Sequence, residues 1–264
     1  MPLFAEVSDE QMVAQLRAHG ARIERPRAVM WYDEKELSPG VAGEFASRLS
    51  SGVDEVEAVS ELKYDARRYR QEKIECFVSA DAGPSHAYMG RKPYFFVTPE
   101  RIRNHEVPYR HELTHIIAWR SCGRALWLQE GFADYVSTEA RRRFPHAPEY
   151  DMNVFNPKDE DIDAVAARVA AAHASDKVLP LIGADATPLS GWHRRAFDAI
   201  FDDREITAPA FYNLSHSFMR YLVARAGLAN VEAACSAWRP SRAIAKKLKE
   251  PMTQLRSEWL KTLQ

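Results

Sequence analysis

Residues 111–115 read His111-Glu112-Leu113-Thr114-His115, and this spacing constrains the fold more than any other feature of the chain. Two imidazoles four residues apart meet one partner on an α-helix, where i and i+4 lie one turn apart on the same face. The pattern predicts a helix over 108–121, opened by Pro108, with Ile116, Ile117 and Trp119 on its buried side. Glu112, rotated by about 100° from His111, borders the shared face without pointing straight along it. That suits a carboxylate that takes a proton from water beside a metal instead of ligating the metal.

A catalytic zinc takes three protein ligands and keeps a fourth position open. The astacin-like arrangement needs a glycine three residues past the second His and a His or Asp at the sixth. Ala118 and Ser121 stand there, which excludes it. Gly123 is read as breaking the helix, and 126–142 as an antiparallel return bearing Trp127-Leu128-Gln129-Glu130-Gly131-Phe132-Ala133-Asp134-Tyr135. Such a return brings Glu130 opposite the two histidines. Two neutral imidazoles and one carboxylate leave the site at +1, strongly Lewis acidic. Asp134, one turn after Glu130, is placed to accept a hydrogen bond from the far nitrogen of a ligating His and so to fix its tautomer.

These two segments resemble the gluzincin peptidases, the clan of thermolysin and aminopeptidase N, and above all the peptidase MA-like proteins with their Leu/Trp-Leu-x-Glu-Gly-x-Ala-x-Tyr segment. The likeness is close over about 25 residues and weaker to the C-terminus, through Phe211 to Leu222 and Trp259-Leu260. It implies one zinc per chain held by His111, His115 and Glu130, with Glu112 as general base and later proton donor. It also implies a zincin-like core: a mixed sheet on the active-site helix and a helical C-terminal half. In the aminopeptidase N branch a Tyr meets the oxyanion, which points here to Tyr212. Thermolysin uses a His, which makes His216 the rival, while Phe211, Leu214, Phe218, Tyr221 and Leu222 form an apolar face that Tyr212 would otherwise simply join. His173 and His193 are less favoured.

The rest of the chain fits this class. Hydrophobic residues make up 46% and charged residues 28%, with a formal net charge of −1, so disorder and coiled coil are excluded and no global field favours nucleic acid. Ser8 and Gln11 form a capping box for a first helix. Ala28–Tyr32 reads as a strand, Ser38-Pro39 opens a helix closed by Gly52, and Val56, Val59 and Leu62 suggest another. Strand-like runs at 74–79, 85–89 and 94–98, separated by turn signals, favour an antiparallel meander. Helices are expected at 159–174, 208–226, 230–237 and 251–263. The order defines an α+β chain with a small, mostly antiparallel or mixed sheet. It is read as a single domain, 1–105 carrying the sheet and 106–264 the site and the helical part.

Substrate signals are fewer. Aminopeptidase N relatives carry Gly-x-Met-x-Asn and an acidic anchor for a free amine; the matching Val78–Pro84 has neither, which favours an endopeptidase acting on a peptide or protein. Tyr94–Thr98 is read either as an edge strand on which an extended peptide pairs or, equally, as a simple core strand. A hydrolase acting on a non-peptide bond and an inactive zinc-binding module are the alternatives. Cys76, Cys122 and Cys235 are read as buried or idle thiols. His19, His86, His105 and His146 are read as solvated, as is the helix end Arg141-Arg142-Arg143. No membrane-spanning stretch and no signal peptide are visible, so the sequence as given reads as cytoplasmic, or as an exported protein already trimmed.

Overall fold

A computed structural model describes residues 8–83, 85–122, 125–172, 175–185, 200 and 206–264. The chain divides into two compact units, 1–117 with 140–152, and 118–139 with 153–264.

The first unit is built on a mixed sheet. Its strands are β1 (Ala21–Glu24), β2 (Ala28–Tyr32), β3 (Ile74–Val78), β4 (His86–Tyr88) and β5 (Tyr94–Val97), in the order β1-β2-β3-β5-β4. β2, β3 and β5 run parallel, with Met30 beside Cys76 and Cys76 beside Phe95; β1 and β4 close the two edges antiparallel. The expected meander is therefore corrected. β4 and β5 do pair as neighbours, but β3 skips β4 and joins β5 in parallel. Of the two readings of the Tyr94–Val97 run, the core strand holds: β5 pairs with β3 on one side and β4 on the other, and all four residues are buried. An unbroken apolar run is what a strand covered on both faces requires, and Tyr-Phe-Phe-Val fits that role.

Helix α1 (Asp9–His19) starts with the expected capping box of Ser8 and Gln11. Its Met12, Val13 and Leu16 pack on Phe77, Tyr94 and Phe96, one face of the sheet. Alternation turns Cys76 to the other face. Helix α2 (Pro39–Ser60) starts as expected but runs straight through Gly52. That glycine is a close-packing site, because a Cβ there would meet the Tyr109 ring at 2.5 Å and Leu113 at 3.2 Å. The short helices α3 (Ala66–Tyr69) and α4 (Pro99–Asn104) lay outside the sequence reading.

Two long helices follow, α5 (Tyr109–Cys122) and α6 (Leu126–Arg143). Pro108 sits just outside α5, and its carbonyl accepts from the Glu112 N–H at 3.1 Å. Gly123, the expected break, lies outside the described residues.

The second unit is helical: α7 (Ile162–Ala170), α8 (Ser175–Val178), α9 (Thr207–Ala226), α10 (Leu228–Cys235), α11 (Pro240–Leu248) and α12 (Met252–Thr262). α7 begins later than expected because the Asp161 carboxylate caps it, accepting from the backbone of Asp163 and Ala164. α9 is its core element, with Phe211, Leu214, Phe218, Met219 and Leu222 buried. Trp127 and Trp259 flank Phe218 at ring distances of 5.4 and 5.0 Å. The Trp259 indole N–H donates to the Ser217 hydroxyl, which donates to Asp163.

The cysteine reading needs a correction. Cys76 is a buried free thiol, but Cys122 and Cys235 form a disulfide joining the end of α5 to α10. Their separation of 113 residues carries no sequence pattern. Among the described residues, no helix is long and apolar enough to cross a membrane.

Candidate metal centre

The first half of α5 is held by charge as well as by packing. Arg110, wholly buried, donates from Nε to Glu55 Oε2 at 2.8 Å, from Nη1 to Glu149 at 3.1 Å and from Nη2 to the Phe144 carbonyl at 3.1 Å. Asp151 lies 3.5 Å from the same guanidinium and accepts from the Arg110 backbone N–H at 3.2 Å, capping the first turn of α5. Burial works against the Arg110 charge, but Tyr109, Asp151, Glu55 and Glu149 outweigh it and hold the guanidinium above its ordinary pKa. Three carboxylates around one cation satisfy the arginine fork, and that satisfaction makes a buried ion cluster tolerable.

His146 belongs to this cluster and is not solvated. Its Nε2 lies 2.7 Å from Glu55 and its Nδ1 3.0 Å from an Arg48 donor, which fixes the tautomer with the proton on Nε2. Two other expected surface histidines also have partners: His86 lies 3.1 Å from Asp9, and the His105 ring sits 4.1 Å from that of Tyr150. His19 is exposed as expected. Within the basic run, Arg141 reaches the Asp151 carbonyl at 3.3 Å, so only its two successors are exposed. His173 and His193 lie outside the described residues.

With α5 so anchored, its i and i+4 histidines converge. His111 Nε2 and His115 Nε2 are 2.8 Å apart, with the rings edge to face. One nitrogen of each and one carboxylate oxygen of Glu130 lie within 4.8 Å of one another. His115 and Glu130 are buried and His111 is half-buried. This donor set fits a divalent ion. Tetrahedral zinc with bonds of about 2.0–2.2 Å spaces its ligand atoms by about 3.4 Å, so small side-chain rotations bring the three to it. The group is close enough to bind a metal; which metal is a separate matter.

Glu112 is 4% exposed, one residue off the ligand face. Burial pushes the Cys76 thiol on β3 well up, and the Glu112 carboxylate raises it further. Glu112 thus stands over the sheet face opposite α1. Asp134, the expected partner for a ligating imidazole, is buried at 5% on the turn after Glu130.

α6 approaches α9 closely at Gly131. A Cβ on Gly131 would lie 2.5 Å from the Ser215 carbonyl oxygen, so only glycine lets the two backbones approach this closely. The i, i+3, i+4 spacing puts Tyr212, Ser215 and His216 on one face of α9. His216 is 3% exposed, while Tyr212 is half-buried with its ring 4.3 Å from Phe155. Both expected oxyanion donors therefore share the side of α9 that Gly131, neighbour of Glu130, touches.

Arg110 and its partners Glu55, Glu149 and Asp151 anchor the start of α5 but carry no signal in the sequence, and Cys76 is read there only as an idle thiol. Arg110 adjoins the motif, but its partners lie 34 to 55 residues away, so no local pattern announces them.

No protein-family model matches the chain, and no curated protein matches it with significance.

Proposed function

We propose that this chain is a zinc-dependent metallopeptidase of gluzincin type, cutting within peptide or protein chains. The observation that carries the reading is the clustering of His111, His115 and Glu130, with the buried Glu112 next to the first ligand. Those three side chains would hold the ion. When bound, zinc supplies Lewis acidity, bringing the pKa of water near neutrality and polarising a carbonyl. Glu112 is the base: its carboxylate takes the proton of the attacking water and later hands it to the leaving amine. Tyr212 is assigned to donate to the oxygen that gains charge, with His216 as the alternative donor. The Cys122–Cys235 bond supports an oxidising compartment as the place of action, against the cytoplasmic expectation.

The test pairs metal content with hydrolysis of a mixed peptide library. Wild type and Glu112→Gln should both hold about one zinc per chain, with turnover lost only in the variant. Glu130→Ala should lose the metal, and Tyr212→Phe should keep it while lowering kcat by about 10²–10³-fold. A protein that takes up no zinc ends the reading. Zinc binding without cleavage of any peptide transfers the site to a non-peptide bond or to a binding role.

A further inference from the structure

The Cys122–Cys235 bond reaches α5 at a particular place. α5 is one unbroken helix from Tyr109 to Cys122, so a turn of any part about the axis turns the whole. Cys122 follows His115 by seven residues and His111 by eleven. At about 100° per residue, both intervals come within about 20° of whole turns. The two imidazoles and the Cys122 sulfur therefore leave α5 on one side, with the sulfur roughly 10 Å farther along the axis than His115.

Cys122 and Cys235 are both buried, and Cys235 ends α10. Only Gly227 separates α10 from α9. α9 in turn runs along α6, the helix of Glu130: the Trp127 ring lies 5.4 Å from that of Phe218, and Gly131 presses on the Ser215 carbonyl. Going forward from Trp127 to Gly131 on α6 goes back from Phe218 to Ser215 on α9, so the two helices run antiparallel. Glu130 stands in that matched turn. Cys122, Glu130, Ser215 and Cys235 all belong to the second unit, and the disulfide closes a circuit among them. It leads from the face of α5 that bears the imidazoles, through α10 and α9, to the helix that bears the third carboxylate.

A small roll of α5 about its axis swings both imidazoles away from Glu130, and a covalent bond to the same face of the helix resists that roll. Taking His111, His115 and Glu130 as the metal ligands, we propose that the Cys122–Cys235 bond aims the two imidazoles at the carboxylate. The chain then holds metal tightly only after these thiols are oxidised. In that step the two thiols give two electrons and two protons to a disulfide oxidant, which leaves as a dithiol. A crosslink that served stability alone gives no reason for a sulfur on the ligand face. Tight metal uptake thus follows arrival in an oxidising compartment.

The experiment measures zinc affinity of the full-length protein by competition with a chelator, for oxidised wild type and for Cys122→Ala combined with Cys235→Ala. Alanine leaves no thiolates that would take zinc themselves, and circular dichroism confirms that both proteins are folded at the working temperature. The alanine pair should bind zinc about 10–100-fold more weakly, the loss typical when a group that orients metal ligands is removed. In a Glu130→Ala background the same pair should change nothing. The weaker binding that remains there uses two imidazoles one turn apart on one helix, which need no aiming at a third ligand. Loss through unfolding would instead appear in both backgrounds. Cys122→Ser with Cys235→Ser is the second variant if the alanine pair does not fold, and a chain that folds with neither would make the bond purely structural and overturn the proposal. Equal affinity of wild type and the pair, or the same loss in both backgrounds, would overturn it too while leaving the metal site intact. Oxidised wild type that takes up no zinc ends both.

Discussion

At the residue scale, the side chains that matter most are those whose neighbours are backbone or charge. Gly131 presses on the Ser215 carbonyl, and neither helix can yield without disturbing the core around Phe218. Gly131→Ala should therefore cost about 1–3 kcal/mol through overpacking, despite alanine's better helix propensity. Urea unfolding measures it, and an unchanged midpoint would show that the helices shift apart freely. Arg110 is the other such residue. Replacing it with alanine leaves Glu55, Glu149 and Asp151 without their shared cation, which should cost about 3–5 kcal/mol. Metal uptake by the folded fraction should fall too, because Asp151 and Arg110 hold the turn that carries His111. The convergence of His111 and His115 was legible in the sequence, since helical periodicity alone aligns the two. The Arg110 partners were not, because a buried ion cluster is assembled from distant segments.

At the element scale, α2 shows how one residue type can mislead. Gly52 was read as a terminator, yet α2 continues to Ser60, because the glycine makes room for Tyr109. The far end of α2 is tied down by Glu57, whose carboxylate accepts from Arg27, Lys63 and the Tyr64 N–H. Burial raises the Glu57 pKa, but these donors outweigh it and hold the carboxyl below its ordinary value of 4.5. A folded pKa below the unfolded one gives stability that is present above the unfolded value and lost as pH falls through the folded one. The stability difference between wild type and Glu57→Gln should thus be largest near neutrality and vanish in acid, as followed by denaturant unfolding across the carboxylate range. A difference independent of pH would remove the ion pairs from the account. The sheet teaches the same lesson: strand positions were readable from apolar runs, but pairing was not, because β3 selects β5 over β4 through shared burial.

At the scale of the whole molecule, the Cys122–Cys235 bond is a covalent constraint on the second unit. Closing a loop with a separation of 113 residues removes unfolded-state freedom worth about 5 kcal/mol in the chain-entropy account. Cys122→Ser with Cys235→Ser, or reduction of wild type, should lower the thermal midpoint by on the order of 10 °C. Equal midpoints for reduced and oxidised protein would show that the bond adds nothing to the fold. The sequence by itself determined the helix that presents His111 and His115, with Glu112 beside them, and the α+β order of elements, because each follows from spacing along one segment. Only the tertiary structure decided the parallel core of the sheet, the disulfide, the Arg110 cluster and the approach of α6 to α9 at Gly131. Those depend on which distant surfaces are buried together, and burial is a property of the folded chain, not of any one stretch of it.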